Sequence, residues 1–142
     1  MRIVLGTDVL IAAMRSRKGA SRAWLQAALR QEVELLLSVP LVLQYEAVLF
    51  RAEHLAALNV STSQVELVLD ALCRVGKPTE ISYLWRPTLR DPGDEMVLEL
   101  AVQGRADALI IFNERDFAGA ERFGIPVLRP GPAWQAWKGD GS

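Results

Sequence analysis

The sequence predicts a single α/β domain whose parallel sheet is covered by helices on both faces. Three observations lead there. Short runs such as Ile3-Val4-Leu5 and, within the strand Val33 to Leu37, Leu35-Leu36-Leu37 are apolar without alternation, as strands buried on both faces must be. Segments with helical spacing separate them, so strand and helix alternate along the chain. Finally, 142 residues with 51% hydrophobic content can bury a substantial core, and no repeat, linker or low-complexity tract divides them, so residues 1–142 form one domain.

Ile3-Val4-Leu5 stops at Gly6-Thr7-Asp8, a strand ending in a turn, after which Thr7 or Asp8 can cap a helix through Met14. Arg15-Ser16-Arg17-Lys18-Gly19 is a basic connection. Ala20 to Gln31 carries Ala20, Ala23, Trp24, Ala27 and Ala28 at helical spacing. After the second strand, Ser38 caps a helix that tolerates Pro40 in its first turn and runs to about Arg51. A short helical piece covers Glu53–Leu58, and Ser61 or Ser63 caps a helix striped by Val65, Val68, Leu69 and Leu72. Ile81 to Leu84 reads as a strand. Arg90-Asp91-Pro92-Gly93-Asp94 is a turn into a helix with Met96, Val97, Leu100 and Ala101 inward. Ala108 to Ile111 and Ile125 to Leu128 are the remaining strands, and a small helix with Trp134 and Trp137 follows Pro130-Gly131-Pro132.

Composition removes several classes of function. Sixteen Lys+Arg against seventeen Asp+Glu leave a net charge of -1, so nucleic-acid contact must come from a local patch. One cysteine and one histidine exclude a disulfide framework, a Cys/His zinc site and most His-dependent triads. No signal peptide and no apolar stretch long enough to span a membrane is evident, so a soluble cytoplasmic protein is expected. Cys73, beside an apolar stripe, is expected as a buried small hydrophobe, His54 as a surface residue, and Trp24, Trp134 and Trp137 as core or interface residues.

The ends of the strands carry the chemistry. In open α/β sheets the functional crevice lies at the carboxyl ends of the strands. There the first strand delivers Thr7 and Asp8, the turn before the Met96 helix delivers Asp91, Asp94 and Glu95, and the strand ending at Ile111 delivers Asn113, Glu114 and Asp116. Any one of these acids could be an ordinary helix cap. Three such groups at the exits of one sheet instead suggest a cation among them, and an oxygen-rich set without histidine suits Mg²⁺ or Mn²⁺.

These residues resemble the PIN-domain family. Leu5-Gly6-Thr7-Asp8-Val9-Leu10-Ile11-Ala12-Ala13 looks like its opening block, and Ser38 to Leu49, with Gln44-Tyr45-Glu46, resembles its central helix. Arg90-Asp91-Pro92-Gly93-Asp94-Glu95 with Leu98-Glu99-Leu100-Ala101 is similar to its third block, and Ala106 to Phe117 to its fourth. The resemblance runs in order over nearly the whole chain, and the VapC-like toxins of bacterial toxin–antitoxin pairs look most similar. It implies a three-layer α/β/α sandwich with a parallel sheet of about four or five strands. It also implies a nuclease that uses Mg²⁺ or Mn²⁺ to cleave RNA, with Asp8, Asp94 and Asp116 as metal ligands. Thr7 and Asn113 would support the site, and Asp91 or Glu95 would serve as outer or replacement ligands.

The chain departs from the family pattern at three positions. Gly6 stands where the first aspartate is expected, Gln44 where the helix glutamate is expected, and Ile111 where a threonine is common. A second expectation therefore stands beside the nuclease: a PIN scaffold that binds RNA or an antitoxin without cutting. A phosphatase-type acidic enzyme is disfavoured, because the chain lacks an Asp-x-Asp opening and the downstream lysine. Arg15, Arg17 and Lys18 after the first block, and Arg115 in the fourth, are the candidate RNA-backbone contacts. The family implies a cognate antitoxin, and the Glu53–Leu58 piece with the Val65 stripe suggests a homodimer.

Overall fold

The central strand is β1, Arg2–Leu5, and the rest of the sheet is assembled on either side of it. In this computed structural model, which describes residues 1–81 and 92–139, the strand order is β3-β2-β1-β4-β5. The partners are β2 (Glu34–Leu37), β3 (Lys77–Pro78), β4 (Ala108–Ile110) and β5 (Val127–Leu128). Every pairing is parallel, with Ile3 opposite both Leu35 and Ala108, and Leu5 opposite Ile110. The middle strands are buried on both sides: Ile3, Val4, Leu35, Leu36, Ala108, Leu109 and Ile110 are at most 1% exposed. The expected α/β sandwich with a central parallel sheet is therefore the observed fold.

The helices are α1 (Thr7–Arg15), α2 (Ala20–Leu29), α3 (Val39–Leu49), α4 (Ala52–Leu58), α5 (Thr62–Val75), α6 (Pro92–Gln103) and α7 (Pro130–Gly139). Ser38 caps α3, its Oγ accepting from the Leu41 N–H at 3.2 Å. Ser61 forms a reciprocal capping box with Gln64 at the start of α5. The tryptophans do belong to the core: Trp24 on α2 meets Trp134 edge-on at 5.1 Å and Trp137 at 5.4 Å, fastening α7 to α2.

Several expectations need correction. Among the described residues, the strand that follows α5 is Lys77–Pro78, paired with Leu36 and Leu37, which no sequence expectation named. A lysine-proline pair carries no apolar signal, so periodicity could not find it. Ile81 itself is outside any strand, and 82–84 lie outside the described residues. Neither Thr7 nor Asp8 caps α1, because the helix begins at Thr7 with Gly6 in the cap position and no side-chain cap bond. Cys73 is exposed, lying one residue past the buried Leu72 on α5 and so turned away from the inward face. The stripe offered for a dimer packs inside the chain: Val65, Leu69 and Leu72 are buried in the core and Val68 packs against it. Among the described residues, no helix is long and apolar enough to cross a membrane.

Candidate functional site

The sheet order creates one crevice of the expected kind. Connections leave β1 toward β2 on one side, while β4 arrives on the other, so the direction of winding reverses between β1 and β4. At the carboxyl ends of these two strands lie Gly6-Thr7-Asp8 and Ile111-Phe112-Asn113, and the Gly6 N–H donates to the Ile110 carbonyl at 2.9 Å. The segment after β4 continues as a 3-10 turn, Glu114–Phe117, that carries Arg115 and Asp116.

Asp8 is exposed, and both its oxygens are engaged by backbone. Oδ1 accepts from its neighbour's Val9 N–H at 2.8 Å, and Oδ2 accepts from the Phe112 N–H at 3.1 Å. Thr7 Oγ1 donates to Gln44 Oε1 at 2.8 Å, which joins α1 to α3 at the mouth of the crevice. Beneath them Tyr45 is buried, its hydroxyl donating to the Leu5 carbonyl at 2.6 Å. Burial, with the Asp8 charge adding to it, pushes the Tyr45 hydroxyl far above its ordinary pKa, so it remains a proton donor at all physiological pH. Asn113 Nδ2 donates to Asp116 Oδ2 at 2.7 Å.

Asp94 and Glu95 occupy the first turn of α6, Asp94 half-buried and Glu95 buried. Asp91 lies outside the described residues. One turn on, Glu99 is 3% exposed, and its Oε2 has no hydrogen-bond partner among the described residues. Burial raises its carboxyl pKa, and the Glu95 charge raises it further. Sequence patterning missed Glu99 because it sits in a run of apolar residues, where an acid reads as the exposed face of a helix.

The donor set among the described residues, which leaves out Asp91, does not fit the divalent ion that the family pattern implies. Among the described residues, no group of three or more His, Cys, Asp or Glu is placed to hold a metal ion. Glycine and glutamine occupy two of the expected acid positions, and Gln44 is instead a neutral partner of Thr7. The basic residues are also divided. Arg115 stands beside Asn113 and Asp116, whereas Arg15 lies at the far end of α1, about 10 Å along the axis from Asp8. Arg15, Arg17, Lys18 and Arg115 are all exposed, while Arg22 is tied down, donating to the Ala13 carbonyl at 2.8 Å.

Comparison with known proteins settles the family. A family model described as PIN domain matches residues 2–115, well over half of the chain. The chain belongs to the PIN-domain family. No curated protein matches the sequence. The PIN fold is also similar to that in a crystal structure of VapBC2 from Rickettsia felis bound to a DNA fragment from their promoter. That likeness has 14% identity and a TM-score of 0.59, covering 91% of this chain and 98% of the other. At that identity it speaks for the fold of this PIN domain.

Proposed function

We propose that this chain is a VapC-like PIN protein that engages RNA and a cognate antitoxin at the β1/β4 crevice, with little or no power to cleave. The observation that carries this reading is the make-up of the crevice: Gly6 and Gln44 stand at two family acid positions, and the oxygens of Asp8 are occupied by backbone N–H groups. Exposed Arg115 beside the crevice and Arg15, Arg17 and Lys18 at the end of α1 would bind the phosphate backbone without sequence preference. An antitoxin partner is supported by the similarity of the fold to a VapBC2 complex. A cytoplasmic location accompanies this reading, and a homodimer rests on the family resemblance alone, since the Val65 stripe packs inside the chain.

A second reading is supported by Asp8, Asp94 and Asp116 each lying in the first turn of its element: α1, α6 and the 3-10 turn after β4. It is the metal-dependent endoribonuclease, with Mg²⁺ or Mn²⁺ held by those three acids and supported by Thr7, Asn113, Asp91 or Glu95. One experiment separates the two. Fluorescently labelled single-stranded RNA is incubated with the protein in Mn²⁺, in Mg²⁺ and in EDTA, and followed by anisotropy and by gel. Saturable binding with intact RNA in all three supports the non-cleaving reading. Cleavage that EDTA abolishes and Asp94→Ala removes establishes the nuclease.

A further inference from the structure

Gly6 is buried, yet its backbone is extended, with φ -64° and ψ 156°, a conformation open to any residue. Space, and not backbone freedom, is what requires glycine there. A Cβ at this position would stand 2.7 Å from Ile111 Cγ2, 2.8 Å from Asp8 Oδ1 and 3.4 Å from the Ile110 carbonyl oxygen. The Asp8 carboxylate is exposed and could swing away by giving up its hydrogen bond to Val9. The Ile111 methyl has no such freedom: Ile111 is 2% exposed, its branch begins at Cβ, and its own N–H is held by the Leu128 carbonyl at 3.0 Å. From outside, the Asp8 carboxylate joins the first turn of α1 to Phe112, two residues beyond the end of β4.

We infer that Gly6, Asp8 and Ile111 are one interlocked unit that closes the head of the crevice. Ile111 fills the room that a side chain at position 6 would need. Asp8 is a positioning residue that clasps α1 to the exit of β4 through the Val9 and Phe112 N–H groups. Only the metal-binding part of this inference rests on the non-cleaving reading; the packing part stands without it.

The test is a thermal-unfolding cycle with Gly6→Ala, Ile111→Ala and the double variant, alongside the unaltered protein. Gly6→Ala is expected to lower Tm by about 3–9 °C, the range for forcing one extra methyl into a packed site in a chain of this size. With Ala at 111 the same change is expected to cost less than about 2 °C, because the obstructing methyl is gone. Equal losses in the two backgrounds would overturn the interlock.

A calorimetric Mn²⁺ titration supplies the second readout. Gly6→Asp with Ile111→Ala is expected to bind Mn²⁺ at least about tenfold more tightly than the unaltered protein, whereas Gly6→Asp alone gains nothing. Equal affinities for the single and double variants would overturn the assignment of Ile111. Asp8→Asn, which keeps one carbonyl oxygen for only one of the two N–H groups, is expected to lower Tm, and an unchanged Tm would overturn the clasp. Metal-dependent RNA cleavage by the unaltered protein would remove the non-cleaving reading by itself, and the stability cycle would still decide the interlock.

Discussion

Replacing Glu99 with glutamine is expected to stabilise the protein, and to do so more strongly as pH rises. Glu99 is 3% exposed on α6, and its Oε2 lacks a hydrogen-bond partner among the described residues. In the unfolded chain this carboxyl ionises near its ordinary value of 4.5, but in the fold burial, reinforced by Glu95, raises that value. Between the two values the folded protein keeps a proton that the unfolded chain has released. The Glu99 contribution is therefore fully present below about pH 4.5 and is lost as pH rises through the folded pKa. Glutamine keeps the shape and cannot ionise, so the variant should lack this loss.

The size of the effect follows from the buried carboxylate charge, which the neutral amide does not carry and whose desolvation without a partner among the described residues costs about 1–3 kcal/mol. At roughly 2.1 cal/mol/K per residue, 142 residues carry an unfolding entropy of about 0.3 kcal/mol/K, so each kcal/mol moves Tm by about 3 °C. Differential scanning calorimetry in EDTA should then show Glu99→Gln melting about 3–9 °C above the parent at pH 8. The gap should narrow toward pH 4. A variant less stable at pH 8, or a gap independent of pH, would refute the reasoning.

Two further outcomes are expected. The triple variant Arg15→Gln, Arg17→Gln, Lys18→Gln should bind single-stranded RNA more weakly and lower the log–log salt slope by about 2, at roughly 0.7 per phosphate contact; an unchanged slope would mean that this cluster does not meet the backbone. Trp24→Phe removes a fully buried indole whose Nε1–H donates to the Pro130 carbonyl at 3.0 Å, and should cost about 2–3 kcal/mol. That is about 6–9 °C in Tm, with loss of the near-ultraviolet dichroism of the three clustered tryptophans; a drop under about 1 °C would show that α7 is not fastened there.

Local chemistry made much of this molecule legible in one dimension. Continuous apolar runs marked β1, β2 and β4, because a strand with two covered faces has no polar side to show. Ser38, and Ser61 or Ser63, announced helix starts, because a short hydroxyl beside unpaired N–H groups is a local device, and the structure assigns the second cap to Ser61. The exits of β1 and β4 could be placed at one edge of the sheet, because all strands of a parallel sheet end on the same side.

What pairs distant segments was decided only in three dimensions. β3 is two residues held by its neighbour's ladder and not by its own pattern. Asp8 reaches Phe112 across 104 positions, and Ile111 lies over Gly6 only because β4 sits beside β1. The Val65 stripe read in sequence as spare surface until neighbouring elements covered it, and the burial of Glu99 had no sequence signal at all. Periodicity reports which face of an element is apolar, but what covers that face is set by long-range packing, and here packing also decides whether the crevice has room for a side chain at position 6.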